Sequence, residues 1–316
     1  MSKYRVLVSC PPMLGMLAEF SDDFATRSMS VEAPQLLQVL SEQELMRRLP
    51  DCDGWIIGDD PASRAVLQVA AGGRLKAAVK WGIGIDNVDV AAAQEFGVGF
   101  INTPHMFGEE VADYAMAYVT GLARELFVVD RGVRAGAWPK PAGMSLQGKT
   151  VGLIGYGSIG RATARRLTVA GLSIQVYDPG AAAAAAAYDD GHAASAWPEG
   201  VEHCDFLVFT CALTTGNRHM FNADVLARCR AGVRLVNVAR GPLVDSVALL
   251  DGLADGRIHS AALDVFETEP LASDHALRGY ERVIFGSHNA SNTAEAVRRT
   301  SRQAITELAR LLDPCA

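Results

Sequence analysis

Cysteine is scarce in this sequence and follows no recognisable spacing. The six cysteines stand apart, without a Cys-x-x-Cys pair or a cluster with histidine. A structural zinc site needs closely spaced ligands, and a disulfide-stabilised domain needs many cysteines in a short chain. The sequence therefore argues against both classes of protein. We expect reduced thiols that mainly fill the core, and no bound metal.

Long apolar runs and clusters of positive charge are also missing. No apolar segment approaches the roughly 18 residues of a membrane-spanning helix, and the N-terminal MSKYRVLVSC has no signal-peptide core. The net charge is −7, and no basic run offers a surface to nucleic acid or to an anionic membrane. We therefore expect a cytoplasmic protein that acts on small molecules.

What the sequence does contain is a regular alternation of short apolar runs and helical patterns. With 316 residues and 49% hydrophobic content, the chain can fill two cores of ordinary size. Such alternation predicts parallel sheets covered by helices on both faces. The predicted strands span residues 4–8, 54–58, 76–80, 98–101, 151–154, 172–177, 205–210, 234–238, 260–263 and 283–285. The predicted helices span residues 41–50, 63–70, 89–96, 108–134, 158–170, 222–229, 244–254 and 292–312.

A glycine-rich loop follows the apolar run 151–154. Gly155, Gly157 and Gly160 have the spacing GxGxxG, and Asp178 ends the next apolar run, close to the ~20-residue offset of the dinucleotide fingerprint. The first glycine permits a sharp turn, the second lets the backbone approach a pyrophosphate, and the third lets the helix pack on the strand. An acid at the end of the second strand binds ribose hydroxyls and repels a 2′-phosphate. The loop therefore predicts NAD rather than NADP.

Three later stretches, VNVARGPLVD, ALDVFETEP and GSHNASNT, place polar residues just beyond predicted strands, where ligands bind in an open α/β sheet. Taken singly, Arg240 could be a surface charge, Glu267 and Glu269 a solvated acidic loop, and His288 a polar residue at the start of a helix. Taken together, they supply a cation for substrate oxygens, a proton donor and an acid that orients the donor. The reduction of a 2-keto acid needs these three parts.

These stretches, with KWGIGIDNVD at 80–89 and NTPHMFGEEVAD at 102–113, resemble the D-specific 2-hydroxyacid dehydrogenase family over nearly the whole chain. The resemblance is to phosphoglycerate dehydrogenase-like members without a regulatory domain. It implies two doubly wound parallel-sheet domains, a Rossmann NAD domain at 103–286 inserted into a flavodoxin-like substrate domain at 1–102 plus 287–316. It also implies an active site in the cleft between the domains and a homodimer formed through the NAD domain and 108–134.

The resemblance also implies a role for each candidate site residue. Arg240 binds the substrate carboxylate and keto oxygen, Glu269 pairs with His288, and His288 is the catalytic acid/base. The backbone N–H groups of the loop 81–84 bind the substrate carboxylate, and Lys80 lies where a cation can assist. The substrate-binding residues are then Lys80, Trp81, Gly82, Ile83, Gly84 and Arg240. The NAD-binding residues are Gly155, Tyr156, Gly157, Ser158, Ile159, Gly160, Asp178, Cys211, Ala212, Val238, Ala239, Asp264, His288 and Ala290.

The expected function is hydride transfer between NAD(H) and C2 of a small D-2-hydroxy or 2-keto acid. We expect a polar or anionic C3 group, as in hydroxypyruvate, phosphoglycerate or a phosphonate. Asp59 and Asp60 are a poor place for a phosphate unless they turn away or cap the next helix, whereas Lys80 and His105 could serve an anionic tail. Two alternatives remain at this point: an NAD-binding scaffold of the co-repressor type, and a formate or phosphite dehydrogenase on the same fold.

Overall fold

The computed structural model describes residues 3–180 and 191–313, so the alanine run at 181–187 lies outside the described residues. The chain divides into two compact units, Met1–Met106 with Asn292–Ala316, and Phe107–Ser291. The boundaries that we expect from the sequence between the substrate domain and the NAD domain, 102/103 and 286/287, remain a proposal. None of the described helices is long and apolar enough to cross a membrane.

The described part of the first unit contains a parallel sheet of five strands in the order β2-β1-β3-β4-β5. This is the flavodoxin-like strand order. Its strands are β1 Tyr4–Val8, β2 Met29–Glu32, β3 Gly54–Ile57, β4 Ala77–Lys80 and β5 Gly99–Asn102. Its α-helices are Pro11–Leu14, Ser21–Ala25, Glu42–Arg48, Arg64–Ala71, Val90–Glu95 and Ala294–Leu312.

Local signals and packing both fix these elements. The helix Glu42–Arg48 begins with the expected capping box, in which Ser41 and Glu44 bond each other's backbone N–H groups. The C-terminal helix packs on one face of the sheet, where an added Cβ at Gly54 would lie 3.1 Å from Leu308. Trp55 is fully buried within an apolar cluster that contains Leu45 and Leu67 from two of the helices.

The described part of the second unit contains a parallel sheet of seven strands in the order β12-β11-β10-β9-β6-β7-β8. Its strands are β6 Thr150–Ile154, β7 Ser173–Tyr177, β8 Ala193–Ala194, β9 Phe206–Phe209, β10 Val233–Asn237, β11 Ile258–Leu263 and β12 Val283–Phe285. Its α-helices are Gly108–Arg124, Leu126–Arg134, Ser158–Val169, Ala223–Arg228 and Ser246–Ala254. Counted from β6, this is the dinucleotide-binding order with one strand added at the edge. The strand order reverses between β6 and β9, which is where such sheets bind ligands.

The predicted strands are all present within two residues of their expected ends, whereas strand β8 and the short helices Pro11–Leu14 and Ser21–Ala25 were not predicted, and two further features differ. The segment 108–134 is two helices, separated at Glu125, whose φ of +54° is left-handed. The Glu125 carboxylate is buried near His259 and Arg282, at 3.4 and 3.6 Å, which holds this break. Strand β2 was not predicted, because its sequence MSVE is short and partly polar and it pairs only with β1 at the sheet edge.

Candidate active site

The glycine loop connects β6 to the helix Ser158–Val169. Gly155 has a φ of +97°, and an added Cβ would lie 2.5 Å from the Cys211 nitrogen. A Cβ at Gly160 would collide with the Gly155 carbonyl oxygen, so the helix packs directly on the turn. Among the described residues other than its two chain neighbours, none has an atom within 4 Å of a Cβ placed at Gly157. The loop therefore leaves space for phosphates where the helix presents its first N–H groups.

Asp178 follows β7 and is bonded to the glycine loop. Its Oδ2 accepts a hydrogen bond from the Tyr156 N–H at 2.7 Å, and its Oδ1 accepts one from the Gly180 N–H at 2.7 Å. A carboxylate fixed beside this loop can accept hydrogen bonds from ribose hydroxyls and repels a 2′-phosphate. The loop and the acid together fit NAD.

The turn after β10 carries Arg240 and is shaped by the buried side chain of Asn237. The Asn237 Oδ1 accepts from the Ala239 N–H at 3.0 Å, and its Nδ2 donates to the Arg240 carbonyl at 2.8 Å. The Arg240 guanidinium donates to the Ala239 carbonyl at 2.7 Å. Because both ends of the Asn237 amide are used within the turn, the backbone that carries Arg240 has a defined shape.

His288 and Glu269 form a hydrogen-bonded pair. The His288 Nδ1 lies 2.8 Å from the Glu269 Oε2, and the Glu269 Oε1 accepts from the Phe266 N–H at 2.8 Å. An ionised carboxylate can only accept, so Nδ1 carries a proton and Nε2 of the neutral ring has a lone pair. The His288 side chain is 23% exposed. The ring is therefore partly accessible from outside the protein.

Asp264 supports the segment that carries His288. It is 1% exposed, and its two carboxylate oxygens accept from the N–H groups of Asn289 at 3.0 Å and Ala290 at 2.9 Å. Burial raises the pKa of Asp264, although these two hydrogen bonds act in the opposite direction. The His288 N–H donates to the Asp264 carbonyl at 2.7 Å. An added Cβ at Gly286 would collide with this carboxylate, so the segment packs closely on the acid.

The other residues predicted to contact NAD follow the carboxyl ends of neighbouring strands in this unit. They are Cys211 and Ala212 after β9, and Val238 and Ala239 after β10. Burial raises the pKa of Cys211 to about 12, so its thiol is uncharged at neutral pH. Within residues 3–180 and 191–313, no group of three or more His, Cys, Asp or Glu side chains is arranged to hold a metal ion.

In the first unit, the loop 81–84, predicted to bind the substrate carboxylate, follows β4. The Trp81 N–H donates to the Ile57 carbonyl at 2.9 Å, and the Gly82 N–H donates to the Thr103 Oγ1 at 2.8 Å. These two N–H groups are therefore occupied within the unit. In the described part of the chain, the N–H groups of Ile83 and Gly84 donate no backbone–backbone hydrogen bond. The role of this loop in binding the substrate carboxylate stays a prediction.

Lys80, which was expected to assist in binding an anionic substrate group, lies at the end of β4. Its side chain is 3% exposed, and its Nζ donates to the Gly58 carbonyl at 2.5 Å and to the Asp59 Oδ1 at 3.1 Å. The ammonium is therefore paired inside the unit. His105 is exposed and has a φ of +62°, in the left-handed region.

Comparison with known proteins gives the family. A family model described as D-isomer specific 2-hydroxyacid dehydrogenase, NAD binding domain, matches residues 116–290. The chain is 32% identical over 314 residues to a hydroxypyruvate reductase of Thermotoga maritima, covering 98% of each protein. The chain belongs to the D-specific 2-hydroxyacid dehydrogenase family.

Two further relatives of this D-2-hydroxyacid dehydrogenase are informative. It is 36% identical to D-3-phosphoglycerate dehydrogenase 3 of Arabidopsis thaliana over 81% of its own length, but spans only 44% of that protein. It superposes on a Staphylococcus aureus NAD-dependent formate dehydrogenase in complex with NAD with a TM-score of 0.84, at 26% identity, covering 98% of this chain and 96% of the other. The predicted family, fold class, enzymatic nature and NAD cofactor are confirmed, and the scaffold alternative is set aside.

Two residues of the dehydrogenase were missed or misplaced by sequence reasoning. Glu267 was grouped with Glu269, but it accepts from the Ser246 N–H at 3.0 Å and contacts the His219 Nε2 at 2.9 Å. Burial acts to raise the pKa of Glu267, but the hydrogen bonds from His219 and Ser246 outweigh it and lower that pKa. Asn237 was not singled out. The sequence marks Asn237 only because asparagine is rare inside a buried strand and this one comes just before the turn that carries Arg240.

Proposed function

We propose that this enzyme transfers a hydride between NAD(H) and C2 of a short D-2-hydroxy acid or 2-keto acid, with hydroxypyruvate as the preferred keto acid. The observation that carries the proposal is the His288–Glu269 pair at 2.8 Å, which orients the imidazole and pairs it with a carboxylate that stabilises its charged form. The pair follows strands of the same sheet that carries the glycine loop and Arg240. Such an arrangement combines cofactor binding with acid–base chemistry.

The residues act as follows in this proposal. NAD, held by the glycine loop and Asp178, would supply or accept the hydride. His288 donates the Nε2 proton to the oxygen of the keto group during reduction and removes it from the alcohol during oxidation. Glu269 accepts from Nδ1, which fixes the ring orientation and stabilises the charged imidazolium. Arg240 binds the substrate carboxylate and keto oxygen through its planar guanidinium.

The preference for a short acid with a polar C3 group follows from the first unit. The Ile83 and Gly84 N–H groups offer donors for the carboxylate that every 2-keto acid carries. The Lys80 ammonium lies near this loop but is paired with Asp59, so this edge of the unit carries no uncompensated positive charge from Lys80. A hydroxymethyl group is better matched to such a neutral polar pair than a phosphate or a branched apolar chain.

We also propose a cytoplasmic homodimer, formed in part by the helix Leu126–Arg134. This helix has no buried residue, and its side chains include Leu126, Phe127 and Val133 at 50%, 42% and 45% exposure. An amphipathic helix with an exposed apolar face is typical of a protein interface. A cytoplasmic location matches the use of NAD, which cells hold in their interior.

The dimer is tested by light scattering of the purified protein. Leu126→Glu combined with Val133→Glu should shift the mass towards the monomer. Val169→Glu, at a residue 91% exposed on another helix of the same unit, is the matched control and should leave the mass unchanged. A wild-type monomer at micromolar concentration would contradict the proposal.

The substrate is tested by kcat/KM with NADH across glyoxylate, pyruvate, hydroxypyruvate, 3-phosphohydroxypyruvate, 3-phosphonopyruvate and 4-methyl-2-oxopentanoate. We expect hydroxypyruvate to rank first and its product to be the D-hydroxy acid. A clear preference for the branched apolar acid would show that the substrate pocket is apolar instead. Formate or phosphite oxidation with NAD, without reduction of any keto acid, would favour the alternative chemistry on this fold.

A further inference from the structure

Lys80 at the end of β4 and Asp59 just after β3 form an ion pair, and the burial of its two charges affects which substrate charge this edge of the unit can accept. A buried ammonium is costly unless it is paired and hydrogen-bonded. Lys80 meets this need through the Gly58 carbonyl at 2.5 Å and the Asp59 carboxylate at 3.1 Å. Asp59 is therefore the counter-charge that allows the lysine to be buried.

Asp59 is held from a second side and stays accessible. Its Oδ2 accepts from the Gln38 Nε2 at 2.9 Å, while Oδ1 accepts from Lys80. These bonds fix the carboxylate, yet its side chain is 34% exposed, compared with 3% for Lys80. An anion that approaches this edge of the unit meets the fixed negative charge of Asp59 more directly than the buried positive charge of Lys80.

The pair lies beside the loop to which the proposed function assigns the substrate carboxylate. Gly82 has a φ of +136°, and a Cβ added there would lie 3.8 Å from the Lys80 Nζ. The Thr103 hydroxyl fixes the same loop through the Gly82 N–H. The charge state of the pair therefore acts within a few ångströms of the loop that contains Ile83 and Gly84.

We propose that Asp59 is a specificity-determining residue that makes the enzyme discriminate against 2-keto acids with an anionic tail. The inference rests on the proposed function and adds a basis for its substrate class. By neutralising Lys80, Asp59 removes the attraction that a phosphate or phosphonate tail would otherwise find. Hydroxypyruvate, whose C3 group is uncharged, does not meet this penalty.

The test is the ratio of kcat/KM for 3-phosphohydroxypyruvate to kcat/KM for hydroxypyruvate, with NADH, in wild type and Asp59→Asn. Asparagine keeps the shape and an acceptor for Lys80 but removes the charge. We expect the ratio to rise roughly tenfold, because a phosphate tail carries nearly two negative charges at pH 7. The gain should shrink with added salt, since the effect is electrostatic. A structural role alone would change both substrates alike.

Asp51→Asn is the matched control, because it removes the same charge from an exposed residue before β3 rather than after it. Its ratio should equal that of the wild type. Lys80→Met in the Asp59→Asn background should abolish the gain. If that double variant does not fold, as judged by its melting curve, the salt dependence of Asp59→Asn decides in its place.

Each outcome separates this inference from the proposed function. If the wild type reduces hydroxypyruvate but the Asp59→Asn ratio stays within about twofold of wild type, the role of Asp59 is refuted and the proposed function stands. A wild-type preference for the phosphorylated acid also overturns the role of Asp59. If the wild type reduces neither acid but reduces others, the proposed substrate is wrong and this inference falls with it.

Discussion

Replacing Glu269 with glutamine keeps the size of the side chain but removes its charge and one of its acceptors. The two carboxylate oxygens contact the Phe266 N–H and the His288 Nδ1, each at 2.8 Å. Glutamine has one acceptor oxygen and one NH₂ group, so it cannot serve both donors. If its oxygen stays on Phe266, its NH₂ group faces Nδ1. The neutral imidazole then carries its proton on Nε2 and cannot accept one from the alcohol.

The other orientation of the amide has a similar cost. It keeps the amide oxygen on Nδ1 but places the NH₂ group against the Phe266 N–H. That N–H then has no acceptor, which costs about 1–3 kcal/mol. In both orientations the imidazolium loses a hydrogen bond to a charged group, which contributes about 1.5–3 kcal/mol. Since about 1.4 kcal/mol is tenfold in rate, kcat for oxidation of the hydroxy acid should fall by roughly 10²-fold. Reduction should be lost at a lower pH than in wild type.

The assay is kcat and KM in both directions as a function of pH, with NADH affinity measured by fluorescence. NADH binding should be unchanged, because Glu269 is not part of the glycine loop. Glu267→Gln is the matched control on the same loop, since its carboxylate binds Ser246 and His219 and not His288. Kinetic constants of Glu269→Gln within about threefold of wild type at every pH would refute the reasoning. An equal loss in Glu267→Gln would point to general damage to the loop.

Three further predictions concern other parts of the molecule. Wild type should prefer NAD over NADP by at least about tenfold in kcat/KM, and Asp178→Ser should narrow that ratio; equal use of both cofactors by wild type would contradict the assignment. Arg240→Lys should lower kcat/KM by about 10²-fold although it keeps the charge, because an ammonium lacks the planar fork; unchanged constants would make Arg240 a structural charge. Burial and two nearby arginines lower the pKa of His259 to about 4, despite the adjacent Glu125. Because the pKa is lower in the folded than in the unfolded state, neutral His259 contributes at most about 3 kcal/mol to the free energy of unfolding above pH 6.5. This contribution is lost as the pH falls towards 4. His259→Gln should therefore flatten the decline of the unfolding free energy in urea titrations over that window, and an unaltered slope would count against it.

Short sequence patterns predicted much of the fold, because each pattern determines the backbone conformation of the residues that carry it. The glycine spacing and Asp178 require a strand, a turn and a helix in sequence, and the structure has them. The break at Glu125 could not be predicted, because neither glycine nor proline marks it and its buried carboxylate lies near His259 and Arg282, far along the chain. Strand β2 gave no signal for a similar reason. Its place is set by pairing with β1, not by an apolar run.

The site shows the same division between local and long-range information. Sequence order placed Glu267 and Glu269 on one loop, and only the family resemblance pointed to Glu269 as the partner of His288. The N–H groups of Trp81 and Gly82 looked equivalent to those of their neighbours, yet partners from β3 and from residue 103 occupy them. Such partners are distant in the chain, so only the folded structure identifies them.

The most direct test of the proposed chemistry is a single-turnover measurement with hydroxypyruvate. NADH oxidation is followed in wild type and in His288→Ala, with the configuration of the product and the affinity for NADH determined for each. We expect wild type to form the D-hydroxy acid, and His288→Ala to react at least about 10²-fold more slowly while binding NADH nearly as well. A His288→Ala rate within a few-fold of wild type, or an L-product from wild type, would contradict the assignment of His288 Nε2 as the proton donor.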